Sequence, residues 1–164
     1  MAEKIALLGC GASSDADHIS APDPQGLGAI QGMQAALDDA GLKPEQIDYL
    51  NLHGTATQHN DAMESLAVQQ LFPTGVPCSS SKPLSGHTLG AAGALEAAFC
   101  GLSLDREDGL LPPHQWDEQP DLALPPLNFI SRGQHLPATR PRRLMSNSFA
   151  FGGNNTSLIL GDLA

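Results

Sequence analysis

The chain has 164 residues with 18 acidic and 8 basic side chains, a formal net charge of −10. That balance speaks against nucleic acid as a partner, because phosphate binding takes clustered lysines and arginines, and the few basic residues gather only at Arg140, Arg142 and Arg143. Apolar residues make up 41% and charged residues 16%, which predicts one globular domain over residues 1–164 with a real core. Cys10, Cys78 and Cys100 lack CxxC spacing and point to neither a disulfide framework nor a zinc site. No apolar run reaches the length of a membrane span and no secretory leader is visible, so the protein is predicted to be cytoplasmic.

Residues 4–10 form a short apolar run suited to a buried strand. Residues 13–28, with Ser, Asp, Pro and Gly throughout, read as a long ordered loop of the kind that often carries function. From Gly28 to Ala40, Ile30, Met33, Ala36, Leu37 and Ala40 recur at helical spacing, and Gly41 is placed to end that helix. A turn at residues 44–47 leads to a second strand over residues 47–52 and then to His53-Gly54-Thr55-Ala56-Thr57. The next helix is predicted over residues 60–72, with Met63, Leu66, Ala67 and Leu71 on one face, closed by Pro73 and Gly75. A third strand is predicted over residues 76–80.

From Leu89 to Leu104 apolar residues dominate on nearly every side, the pattern of a buried helix. Residues 105–128, rich in Asp and then in Pro around Trp116, read as an irregular excursion. Residues 143–151 and 156–160 are two strands joined by Gly152-Gly153-Asn154-Asn155, a hairpin signal. Strands alternating with helices predict an α/β fold, a mixed sheet with helices and an antiparallel C-terminal pair.

In open α/β sheets ligands gather beyond the carboxyl ends of the strands. There His53 ends the second strand, Lys82 and His87 follow the third, and Phe151-Gly152-Gly153 follows another. His87 stands at the mouth of a helix, where the dipole disfavours the imidazolium. Two neutral histidines suit chemistry in which charge develops on a carbonyl oxygen, because their N–H groups can stabilise an enolate. The Gly152-Gly153 turn allows a backbone N–H to approach an oxyanion where a bulkier residue would obstruct it. Thr55 and Thr57 offer hydroxyls to an extended ligand, and Lys82, with Glu96 as its partner, can hold a neighbouring group charged. Each has a plainer reading: a histidine bonded to a backbone carbonyl, a solvated lysine, a simple turn. His59, His114 and His135 read as surface residues. A metal site of His53, His87 and Asp61, which would make the chain a metal-dependent hydrolase, lacks the tight HxxxH or HExxH spacing.

The ordered set of motifs is His53-Gly-Thr-Ala-Thr57 with Asp61 and Glu64, then Lys82, then Gly86-His87-Thr-Leu-Gly90-Ala-Ala-Gly93 with Glu96, and finally Asn147-Ser-Phe149-Ala150-Phe151-Gly-Gly-Asn154-Asn155. In order, spacing and number it resembles the C-terminal half of a β-ketoacyl-acyl-carrier-protein synthase of the thiolase-like fold. The resemblance implies one half of an αβαβα layered architecture. It further implies an acyltransferase that condenses malonyl-carrier protein with an acyl thioester by decarboxylative Claisen chemistry, in fatty acid, polyketide or polyene biosynthesis. By position, His53 and His87 resemble the histidines that assist decarboxylation and stabilise the enolate, and Lys82 the lysine that organises the site, with Glu96 beside it. Thr55 and Thr57 resemble the threonines that bond the phosphopantetheine arm. Phe151, with Phe149 and Gly152 beside it, resembles the gating phenylalanine whose backbone N–H joins the oxyanion hole. Asp61, Glu64 and Asn155 are structural neighbours on the same basis. No cofactor of the protein's own is implied, since the substrate rides on the phosphopantetheine of an acyl carrier protein.

Two departures matter. Ala150 replaces the more usual glycine between the phenylalanines. The family nucleophile, a cysteine at a helix start in the N-terminal half, has no counterpart here, and Cys10, Cys78 and Cys100 read as small core hydrophobes. A single half should expose a large apolar surface around Ala91–Leu104. The chain is therefore predicted to be inactive alone and to be completed by an N-terminal half, by a partner synthase chain or by self-association. The alternative is a non-catalytic partner or scaffold subunit that pairs with another synthase chain.

Overall fold

The computed structural model describes residues 5–163. In chain order its main elements are β1 (Ile5–Ser14), α1 (Leu27–Ala40), β2 (Tyr49–Asn51), α2 (Gln58–Leu71), β3 (Pro77–Ser79), α3 (Lys82–Ser85), α4 (Ala92–Asp105), β4 (Asn128–Phe129), β5 (Arg143–Ala150) and β6 (Asn154–Asp162). The strands form one sheet in the order β1-β6-β5-β2-β3-β4. β5, β2, β3 and β4 run parallel, and β6 runs against both of its neighbours. The mixed sheet and the antiparallel C-terminal pair are as the sequence predicts.

Because side chains alternate across a strand, adjacent residues feed two separate cores. Leu50, Met145 and Ile159 pack with Met33, Ala36 and Leu37 of α1 and with Met63, Ala67 and Val68 of α2. Their neighbours Tyr49, Leu144 and Leu160 pack on the opposite face with Cys100 and Leu104 of α4 and with Leu111, Ile130 and Leu136. Helices thus cover both faces of the sheet. α1 lies directly on β1: a Cβ at Gly11 would fall 2.1 Å from the Gly32 carbonyl oxygen, so only glycine admits this approach. Gly41 closes α1 in the left-handed region at φ 64°.

Three expectations are corrected. β1 runs to Ser14, four residues beyond the predicted strand, because β6 pairs with it as far as Ser14↔Asn154. Cys10 is exposed and not a core residue, since Gly9 and Gly11 face α1 and Cys10 points to the other side of an edge strand. α4 is buried along one stripe only, Ala92, Glu96, Cys100, Ser103 and Leu104. Its other side, with Ala94, Ala98 and Leu102, is open to solvent, Leu102 at 60% exposure, which is the apolar surface expected of a single half. The apolar residues of that outer side lack a covering layer among the described residues. No helix among them is long and apolar enough to cross a membrane.

Candidate functional site

The site is built where β2 and β3 end side by side. Leu52 N–H donates to the Ser79 carbonyl at 2.9 Å, extending the pairing by one residue before the chains part. The backbone leaving β2 then turns at Gly54, whose φ of 43° and 2.6 Å approach of a notional Cβ to Ser80 both call for glycine. Glu64 of α2 catches this turn from behind. Its two carboxylate oxygens accept the N–H groups of His53 and Gly54, each at 2.8 Å, and Asn60 adds a longer bond at 3.4 Å. Burial pushes the Glu64 carboxyl up to about 7, opposed by those backbone N–H bonds and by the Lys82 charge.

From the other side comes Lys82, at the start of α3 and only 7% exposed. Its ammonium donates to the His53 carbonyl and to Glu96 of α4, and it lies 3.4 Å from His53 Nδ1. Burial pushes the Glu96 carboxyl up and Lys82 draws it back down. The lysine is thus not solvated, and the ion pair joins β2, α3 and α4. The His53 ring is held neutral: burial first, then the charges of Lys82 and His87, lower its pKa from 6.5 to about 3.

His87 lies between α3 and α4, on an exposed turn. Its ring centroid is 5.5 Å from that of His53 at 84°, an edge-on arrangement. The Leu89 N–H donates to its Nδ1 at 3.3 Å. An ammonium and a backbone N–H have only protons to offer, so Nδ1 is the acceptor in both rings. The Nε2 edge of each ring has no hydrogen-bond partner among the described residues.

Both histidines line a cleft of about 570 Å³ together with Thr55, Thr57, Phe149, Phe151 and Asn155. The Thr55 and Thr57 hydroxyls are 2.8 Å apart. Phe149 is buried, its ring centroid 5.9 Å from that of His53, whereas Phe151 is 79% exposed at the mouth. Gly93 lets α4 approach β5: a Cβ there would lie 2.8 Å from Ser148 Oγ. The cleft also takes in Asp15, residues 20–22, His59 and Ser148, none of which sequence reasoning named as ligands.

The structure separates the remaining predicted residues. Gly152 is outside the cleft lining, and its N–H donates to the Ile19 carbonyl at 2.8 Å, so it is not offered to an oxyanion. Asp15 binds the same turn: its N–H donates to Gly153, and its carboxylate accepts Asn155 Nδ2 at 2.6 Å. The loop of residues 15–23 and the turn at residues 151–153 therefore form one wall. Glu64 and Glu96 act from behind the histidines. Asp61 is half-buried in the first turn of α2, bonded by Asn60 and apart from the cleft lining, with its carboxyl pushed up by burial. Among the described residues no three His, Cys, Asp or Glu side chains are gathered as a metal ion would require. Cys78 and Cys100 are buried and their thiols are pushed up by burial, away from the thiolate a nucleophile needs. His114 is not a free surface residue, since it stacks on Phe129 and accepts the Ser80 N–H.

A family model described as the C-terminal domain of β-ketoacyl synthase matches residues 5–115. The chain belongs to this family. It is 40% identical over 160 residues to 3-oxoacyl-[acyl-carrier-protein] synthase 2 of Staphylococcus aureus, covering 93% of this chain and 38% of that protein. The synthase 2 of Coxiella burnetii is 39% identical over 157 residues, with 94% and 37% covered. Among solved structures, a ketosynthase in complex with its chain length factor from Xenorhabdus doucetiae superposes with a TM-score of 0.89 at 52% identity, over 99% of this chain and 40% of that one. A β-ketoacyl synthase from Burkholderia phymatum gives 0.84 at 39% identity, over 96% and 37%. The fold is therefore that of the C-terminal part of a thiolase-like ketosynthase, and the chain spans little more than a third of its curated relatives.

Proposed function

We propose that the chain is the histidine-bearing portion of a 3-oxoacyl-[acyl-carrier-protein] synthase, a soluble cytoplasmic acyltransferase of fatty acid or polyketide biosynthesis. The observation that carries this reading is the convergence of the two rings on one cleft, each with a protein donor at Nδ1. A malonyl thioester on the phosphopantetheine of a carrier protein enters past Phe151, its arm bonded by the hydroxyls of Thr55 and Thr57. The bond to the malonyl carboxylate breaks, carbon dioxide leaves, and the electron pair passes into the thioester as an enolate. The Nε2–H groups of His53 and His87 stabilise the enolate oxygen as its charge develops. The enolate carbon then attacks the carbonyl of an acyl group carried as a thioester on a cysteine, the new carbon–carbon bond forms, and the thiolate departs. That cysteine is supplied from outside residues 1–164.

His53 suits this task because it stays uncharged across the working range, so it gives a hydrogen bond without protonating the enolate carbon. Lys82 and Glu96 keep its tautomer and place. The partner is an N-terminal synthase half or a second synthase chain seated on the open side of α4, by analogy with the ketosynthase of Xenorhabdus doucetiae in complex with its chain length factor. Retention of His53, Lys82 and Glu96 as one bonded set, with the His87 ring edge-on to His53, favours the catalytic reading over a scaffold subunit. The test is the hydrodynamic mass and the condensing activity of the chain with and without a co-expressed N-terminal half bearing the cysteine. We expect no turnover alone and a stable, active complex with the half; a well-behaved complex without condensation would favour the scaffold subunit.

A further inference from the structure

We propose that His114, which lies outside every motif of the site, is a positioning residue for the His53 turn, acting through the acceptor bond from the Ser80 N–H to its Nδ1. The residue sits in the irregular excursion between α4 and β4. Its ring lies flat on Phe129, centroids 4.0 Å apart and planes 4° apart, with Trp116 tilted against both. Stacking fixes the plane of the ring, and the Ser80 N–H, at 3.1 Å, fixes which nitrogen faces β3. A ring that accepts at Nδ1 carries its proton on Nε2. Burial holds its pKa below the ordinary value, in keeping with that neutral form.

Ser80 is the junction. Its hydroxyl donates to the Gly54 carbonyl at 2.8 Å and accepts the Lys82 N–H at 3.3 Å. Gly54 adjoins His53 and hangs on Glu64, while the Lys82 side chain bonds the His53 carbonyl and approaches its Nδ1. His114 thus reaches His53 by two short routes that share one serine. The adjacent Ser79 hydroxyl donates to the Pro112 carbonyl at 2.7 Å, so the excursion grips two successive residues at the end of β3. A buried junction with little slack passes a displacement on, because packed side chains and satisfied polar groups have few alternative arrangements.

The inference rests on the proposed function only for the importance of His53. Its test reads ring and amide signals and not turnover, so either can fail without the other. The whole chain is labelled with 15N-histidine and 15N-serine. His114→Phe keeps the stack on Phe129 and removes the acceptor, whereas His114→Asn keeps an acceptor near the place of Nδ1 and gives up most of the stack. In the Phe variant we expect Ser80 amide exchange to quicken about tenfold, the worth of one hydrogen bond, and the His53 ring signals to move. The Asn variant should bring both back toward wild type. Ser80→Ala, which keeps the amide bond but cuts the routes to Gly54 and Lys82, should move the His53 signals and leave those of His114 in place. His53 signals that respond to the Asn variant and not to the Phe variant would assign the role to stacking and overturn the proposal. So would His53 signals unmoved by Ser80→Ala.

Discussion

The two imidazoles of the cleft both meet a protein donor at Nδ1 but are held in opposite ways. His53 is 6% exposed, with its backbone N–H on Glu64, its carbonyl on Lys82 and its ring against Phe149. His87 is exposed on a turn after a four-residue helix, with Nδ1 held by one backbone N–H. One half of the donor pair is thus enclosed within this chain, and the other is exposed. Burial keeps the first ring neutral.

The comparison breaks most severely at Lys82. Lys82→Met removes the ammonium between His53 and Glu96 and leaves a buried carboxylate unpaired, a change that costs roughly 3–5 kcal/mol for buried pairs, read by urea unfolding. A smaller and unequal pair of effects should separate the histidines. His53→Ala should cost about 1–3 kcal/mol for the unpaired polar groups and space it leaves, whereas His87→Ala should stay within about 0.5 kcal/mol, and on the proposed function both should lower condensation in the assembled synthase. The pH dependence sharpens the same contrast. The unfolded His53 ring takes up a proton below 6.5 and the folded ring only at about 3, so the unfolded state binds more protons in that window. Stability should therefore fall with falling pH across it by up to about 1.4 kcal/mol per unit more than in His53→Gln, seen in paired denaturation series. The smallest effect belongs to the open face of α4. Leu102→Glu should change the chain's own stability by less than about 0.5 kcal/mol and yet prevent assembly with the N-terminal half, seen by sedimentation.

Much of this arrangement is legible before any coordinates. The Gly152-Gly153-Asn154-Asn155 connection defines the antiparallel pair, and the 3.6-residue spacing of Ile30, Met33 and Leu37 defines α1. The motif order places His53, Lys82 and His87 at adjoining strand ends. What the sequence conceals is depth. A run of Ala, Gly and Leu is equally apolar whether or not a neighbour covers it, so the pattern of α4 reads as buried, and only the resemblance to one half of a two-part fold predicts the open face at Ala94, Ala98 and Leu102. Nothing local tells that Lys82 turns inward while Gly152 spends its N–H on Ile19, since both contacts join residues remote in the chain. His114 is hidden for the same reason: its partner Ser80 is 34 residues away.

The most direct measurement is the release of carbon dioxide from malonyl-carrier protein by the chain assembled with its N-terminal half, for the wild type, His53→Ala and His87→Ala. The account predicts release by the wild-type assembly and a loss of about a hundredfold or more on removing either ring, the usual scale for one oxyanion donor. Release at an undiminished rate by either variant, in an assembly that forms normally, would contradict it.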